Sequence, residues 1–456
     1  WLEVSQADER LDLATARTLA LAAMTEEPAS AKGVAAAMWW LANHESLPAP
    51  EEPLALVGRG RDPELGFVLE RLEAALAAIP PDGSLDPAEI AGPFGVFAVL
   101  DLERGVVPVD ADLPELGRGW REAAVPYRLT IGSVDGFQGP PMSMAVDGVT
   151  LVAWTLEAEA DVEGWLVVEA RGSFNLELDG RPADRRRDCG LADPATTWYH
   201  IELARGLHRL RLEIAGRTLP RVRVSLVDDE GAALAGVALG TGAAPAASLA
   251  SSSIVRRDPP AAAALERLLE DGSGGVRELL LAASLASARG DPERERARLE
   301  RARELEPGDP WVALALARSL LAEGGGTAVG ERARRLAQLL REAAELPGAE
   351  LVARVLAARE GRVEDAERIL DALVEENADD PRVLAARVRD AVERGWAREA
   401  EEDLQRLEIA LPGSPAVTAL RLEVLEALER WQERDRLLAA LAASPAAGLR
   451  WIGDLA

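Results

Sequence analysis

The chain has 456 residues, a net charge of −27, 48% apolar residues, one cysteine and three histidines. Acidity spread along the chain argues against nucleic-acid binding, because phosphates need clustered positive charge. No apolar run approaches the roughly 18 residues of a membrane span, and a lone cysteine excludes an internal disulfide while fitting either a cell envelope or a cytoplasm.

Residues 1–80 read as helical. Leu11, Leu13, Leu19, Leu21 and Met24 mark one amphipathic segment, Val34, Met38, Trp40 and Leu41 a second, and Phe67, Leu69, Leu72 and Leu76 a third. Trp39 and Trp40 are adjacent, so they point in different directions from a helix, and one is expected outside the core. Residue 1 is tryptophan, from which a processed or trimmed start is expected.

Residues 81–125 form a Pro/Gly-rich lead-in. Over 126–231 the period becomes two. Phe174, Leu176 and Leu178 alternate with Asn175 and Glu177, and Leu210, Leu212 and Ile214 alternate with Arg209, Arg211 and Glu213. Asp179-Gly180 is a hairpin signal. Strands with one buried face predict an antiparallel β-sandwich. Trp154 and Trp165 are expected in its core, and Trp198-Tyr199 is the candidate for an exposed stacking platform. His200 and His208 are placed at a surface by alternation.

The run Trp165–Gly180, with Leu203, Gly206, His208, Arg209, Leu210, Val222, Val224 and Asp228 to Gly231 after it, resembles the PA14-like and galactose-binding-like jelly-roll modules of bacterial proteins, over about 90–231. Gly92-Pro93-Phe94 is similar to the lead-in of such modules in bacterial tetratricopeptide proteins, some of which carry a transglutaminase-like domain further on. The resemblance implies a glycan- or surface-binding role. Gly172 and Ser173, however, stand where the sugar-binding relatives often carry an acidic pair, and a calcium ion needs such oxygen ligands.

Residues 232–257, rich in Ala, Gly and Ser, read as a linker. Asp258 ahead of Pro259 and Pro260 predicts an N-cap and a helix over about 259–271. From there to residue 456 an α-solenoid is expected. Pro347, Pro381 and Pro415 recur every 34 residues, the period of a helix–turn–helix repeat. Turn glycines fall at Gly290, Gly361 and Gly395, small residues at Ala302, Ala366 and Ala400, and large ones at Leu299, Leu370 and Leu404. These residues resemble the tetratricopeptide-repeat family over about 276–456, with Glu429 in place of a turn glycine. Leu449 to Ala456 read as the first helix of a further repeat, so the array is expected to be incomplete at its C-terminus. An uncapped face of that kind offers a route to self-assembly.

The resemblance implies a groove that takes a protein or peptide partner. The family's lysine-based carboxylate clamp does not carry over, because the only lysine is Lys32. Arg354 and Arg387 are the candidate partner-binding residues. Trp311, Trp396 and Trp431 are expected to fill gaps between helices. No catalytic, cofactor-binding or metal-binding residue is assigned. Cys189 lies in a polar loop after Arg185–Arg187 with no orienting acid, and four His/Cys residues spread over 44–208 have no zinc-ligand spacing. The sequence thus gives a multidomain, non-catalytic interaction scaffold. Arginine-rich and alanine-rich usage suggests a bacterial source, periplasmic, secreted or cell-surface, with a cytoplasmic setting also compatible. Two other readings stay open: a glycan-binding role through the sandwich, or the non-catalytic portion of a larger envelope transglutaminase-like or peptidase-like protein.

Overall fold

The computed structural model describes residues 1–44, 47, 50–56, 62–77, 83–85, 88–94, 102–103, 127–131, 148–187, 195–215, 221–240, 252–322, 331–378, 380–412 and 414–442. Cys189, the prolines at 108 and 114 and the last-repeat segment 449–456 lie outside them. The chain divides into two units, Trp1–Val57 with Ala264–Ala456, and Gly58–Ala263. The expected separate segment 1–80 is therefore split between the two. Its last helix, α4 (Pro63–Ala77), has left the others to cover a sheet.

That second unit contains β1 (Ala88–Phe94), β2 (Tyr127–Ile131), β3 (Val149–Ala158), β4 (Val162–Arg171), β5 (Ser173–Leu178) and β6 (Arg181–Arg186). It continues with β7 (Ala195–Leu203), β8 (Gly206–Ala215), β9 (Arg221–Val227), β10 (Val237–Leu239) and β11 (Ser253–Arg256). One antiparallel sheet has the order β2-β1-β3-β8-β5-β6, with β10 also on β3, and the other has the order β11-β7-β4-β9. Their facing side chains make one core, including Trp154, Phe174, Leu176, Leu212, Leu166 and Val224. A period of two with both inner faces apolar gives this sandwich. The supposed linker contributes two short strands, β10 and β11, because even Ala- and Ser-rich backbone can complete a ladder at a sheet edge. Asp179 and Gly180 both have left-handed backbones (φ 52° and 73°), as the hairpin required.

The outer face of the four-stranded sheet is also apolar, and α4 covers it. Phe67 packs edge-on against Trp198, whose ring meets that of Trp165, and Val167 and Val227 complete the cluster. Beneath the helix Glu169 is buried, with Arg223 of β9 on one oxygen and Arg71 of α4 at 2.6 Å on the other. Asp62 starts the helix. One carboxylate oxygen accepts from the amides of Glu64 and Leu65, and the other accepts from Ala261 at 2.8 Å, in the first turn of α5 (Pro260–Glu270). One buried side chain thus satisfies the free amides of two helix starts.

In the other unit, α1 (Leu2–Glu9), α2 (Leu13–Glu26) and α3 (Ala31–Asn43) precede, among the described residues, five helix pairs. The pairs are α6 (Val276–Ala288) with α7 (Pro292–Leu305), α8 (Pro310–Ala322) with α9 (Glu331–Glu342), α10 (Pro347–Arg359) with α11 (Val363–Glu376), α12 (Pro381–Glu393) with α13 (Ala397–Ala410), and α14 (Pro415–Ala427) with α15 (Trp431–Ala442). The recurring prolines each occupy the first turn of a first helix, where the missing N–H costs nothing. Gly290, Gly361 and Gly395 take φ between 67° and 76° in the turns, and Glu429 is forced into the same region at 56°. Ala302, Ala366 and Ala400 are buried, as are Leu299, Leu370 and Leu404. Both Trp39 and Trp40 are buried, contrary to the adjacency argument. Trp40 reaches the carbonyl of Pro50, while Trp39 turns toward a cavity described below.

Candidate functional site

Among the first helices α8 packs on α10, and α1 packs on α6 and α10 as well as on α2. Leu2 packs on the core shared by the first pairs, and the Arg10 guanidinium sits over the Trp311 ring of α8, 5.6 Å from its centroid. Glu9 meets Arg318 of α8 at 2.6 Å. Asp8 meets Arg382 of α12 at 2.5 Å, and Arg382 also holds Asp380 at 3.0 Å. Leu11 enters a small apolar cluster with Leu373 and Val383. Two adjacent acids and a leucine thus reach α8, α11 and α12. Beside them a cavity of about 390 Å³ is lined by Trp1, Trp39, Ser284, Trp311 and Arg318 among others. The buried Trp39 Nε1 has no acceptor among the described residues.

Glu9 is buried, and its Oε2 has no hydrogen-bond partner among the described residues. The oxygen lies against Gly348, where an added Cβ would stand 2.1 Å from it. Burial pushes the Glu9 carboxyl up to about 7; Arg318 and Arg382 oppose that rise, and Asp8 adds to it. A docked Glu9 therefore holds a proton between the ordinary carboxylate range and about pH 7 that a free segment lacks. Docking is expected to tighten as pH falls through 7 and loosen as it rises. Hydrogen exchange of residues 2–9, corrected for intrinsic rates, should show more protection at pH 6 than at pH 8. The opposite order would mean that the Arg318 ion pair governs the contact.

The residues singled out from sequence are placed as follows. Arg354 is directed to Asp390 at 3.5 Å and Arg387 to Asp403 at 2.8 Å, so both are engaged within the array. Trp198 is 3% exposed beneath α4, and Tyr199 is fully buried with its hydroxyl donating to Asp184 at 2.8 Å. Neither offers the exposed stacking face expected of it, because the outer sheet face carries a helix and the inner face the core. Trp396 and Trp431 are about half exposed instead of filling gaps, and Arg394 lies over the Trp396 ring at 4.7 Å. His208 is buried, not at a surface. Its Nδ1 is 2.8 Å from Asp179 Oδ2 and its Nε2 2.6 Å from the Ala204 carbonyl, so it ties the β5–β6 hairpin to β8. His200 comes together with Glu163 and Glu202, whose ligand atoms lie within 4.8 Å of one another across β4 and β7, a grouping that linear spacing concealed. His200 Nε2 lies 3.0 Å from Glu163, whose carboxylate is largely exposed. The acidic pair Asp8-Glu9 and its arginines were missed. The only sequence signal for them was an Asp-Glu pair ahead of Leu11 in a short amphipathic segment.

These features define a protein of tetratricopeptide-like helical repeats with a β-sandwich inserted in the chain between its first helices and the repeats. No protein-family model matches the chain, and no curated protein matches it. Among solved structures the chain is similar to the APC/C hetero-tetramer Cut9-Hcn1, at 13% identity and a TM-score of 0.35, over 42% of this chain and 36% of that one. It is also similar to YrrB, described as a TPR protein with an unusual peptide-binding site, at 15% identity and a TM-score of 0.30, over 43% of this chain and all of that one. The repeat assignment rests on the chain's own helix pairs and their spacing.

Proposed function

We propose that this protein is a non-catalytic scaffold whose helical repeats hold a protein partner. The observation that carries this reading is the first-helix face itself. It engages a helical segment through the apolar contact of Leu11 and through two arginines two repeats apart, Arg318 of α8 and Arg382 of α12, which is the mode by which a stacked groove takes a peptide helix. The segment it engages belongs to the same chain, so the face is built for helix recognition. A bacterial, envelope-side setting belongs to the same proposal, supported by composition and by the jelly-roll resemblance. No observation favours glycan binding, since Trp154, Trp165 and Trp198 are all buried.

The test is photo-crosslinking in the source cell. A photoreactive residue replaces Ala315 or Ala385 on first helices, or Trp396 or Ile409 on the second-helix side, with Val255 of the sandwich as the comparison. The scaffold reading expects a discrete protein adduct from at least one repeat position and none from Val255. Adducts from Val255 alone would contradict it.

A further inference from the structure

Beside the part of the four-stranded sheet that α4 covers, the same outer face is open to solvent. Side chains two apart on a strand share a face. Glu163 of β4 therefore stands on the face of Trp165, and His200 and Glu202 of β7 on the face of Trp198. The register sets Glu163 directly opposite Glu202 and Trp165 directly opposite His200. The ligand atoms of Glu163, His200 and Glu202 come within 4.8 Å of one another, and the Glu163 side chain is 71% exposed.

Two observations set this grouping apart from an ordinary acidic patch. The first is the pairing itself. Carboxylates directly opposite one another on neighbouring strands repel and weaken the ladder. Elsewhere in the sandwich arginine answers acid, as Arg71 and Arg223 do at Glu169 and Arg211 does at Glu213. Among the described residues no arginine or lysine answers Glu163 or Glu202. Glu163 has His200 Nε2 at 3.0 Å, and Glu202 accepts from the hydroxyl of Ser253 on β11 at 3.1 Å. The second observation is the seat of the imidazole. Its ring meets Trp165 edge-on, 5.3 Å between centroids, and Trp165 is itself held by its indole N–H on Asp229 at 2.9 Å. A ring braced from behind presents its nitrogen at one place, as a metal-binding imidazole must.

We infer that Glu163, His200 and Glu202 bind one divalent transition-metal ion of the zinc type. The donor set chooses the class. An imidazole nitrogen suits zinc and its neighbours, whereas calcium and magnesium take oxygen ligands. Two carboxylates balance the charge of the ion, and three protein ligands on an open face leave a further position to water. The ion turns a repulsive cross-strand pair into a clamp between β4 and β7, and Ser253 joins the edge strand β11 to it. The inference is independent of the scaffold reading, which concerns the repeats.

The test is a zinc titration of the full chain carrying isotope-labelled histidine, read by magnetic resonance of the imidazole nitrogens. With three histidines in the chain, the His200 signal is assigned by its loss in a His200→Asn variant. That signal should shift and saturate at one ion per chain, and calcium should leave it in place. The Glu163→Gln/Glu202→Gln chain should bind zinc at His200 at least about tenfold more weakly. A His200 signal unmoved by saturating zinc, or an affinity unchanged in the Glu163→Gln/Glu202→Gln chain, overturns the inference. Thermal unfolding gives a second readout. In chelator the Glu163→Gln/Glu202→Gln chain should melt no lower than wild type, because it removes the repulsion. Zinc should raise the wild-type midpoint and leave that of the variant in place. A variant that melts below wild type in chelator would show the two acids already satisfied by His200 and Ser253, and would overturn the inference.

Discussion

Replacing Glu169 by alanine is expected to destabilise the sandwich unit by about 3–5 kcal/mol, the cost of leaving buried charge without its partner. Glu169 is 3% exposed and is shared by Arg223 and Arg71, which reach it from a neighbouring strand and from α4. Burial opposes its ionisation, yet Arg71 and Arg223 outweigh burial and hold the carboxyl below its usual range. Alanine would leave two guanidinium groups facing each other under a helix. The same depressed pKa fixes the pH direction: the contribution is present above the ordinary carboxylate range and is lost as pH falls through the depressed value. Urea unfolding followed by tryptophan fluorescence would read both effects. A Glu169→Leu/Arg223→Met pair, which removes the acid and the more buried of its two arginines, should recover part of the loss. A loss under about 1 kcal/mol for the alanine variant would mean that the triad is solvated and that α4 is held by its apolar contacts alone.

Arg382→Ala is expected to cost about 3 kcal/mol, at the low end of the range for breaking a largely buried pair, since the guanidinium is 20% exposed. Arg382 bridges Asp8 of the N-terminal segment and Asp380, the residue that caps α12 through the amides of Arg382 and Val383. Its loss leaves the cap in place and removes the anchor of the segment. Thermal unfolding should therefore shift, and protection of residues 2–9 should fall more than protection of α12. Equal loss in both would show that Arg382 supports the repeat and not the segment.

The repeats were legible from sequence because their determinants are local. A proline in the first helical turn, a glycine at positive φ and an alanine at the helix crossing each act within one 34-residue unit, and Pro381, Gly395 and Ala400 all stand where those roles require. The sandwich was legible for a similar reason, since alternation marks two faces along a single strand. Alternation does not say what lies above the second face. Trp198 belongs to the outer face, and only the contact between residue 67 and residue 198 decides that it is covered. Tyr199 belongs to the inner face, so the pair could not be exposed together. The double cap by Asp62, the seat of His208 on Asp179 and the docking of α1 on α12 share this property. Each joins residues far apart in the chain through one or two side chains, a coupling that leaves no period in the sequence. Trp396 illustrates the converse. A large aromatic beside a repeat turn suggests a gap to fill, but it begins the second helix facing outward, with Arg394 as its partner.

The most direct test of the first-helix face and its occupant is disulfide trapping. Glu9→Cys and Gly348→Cys would be combined in a Cys189→Ser background, which leaves no other thiol in the chain. Gly348 lies directly against Glu9, whose side chain the first substitution shortens, so mild oxidation of the folded chain should yield a 9–348 disulfide by peptide mapping. Folded chain that forms no such crosslink would contradict the account.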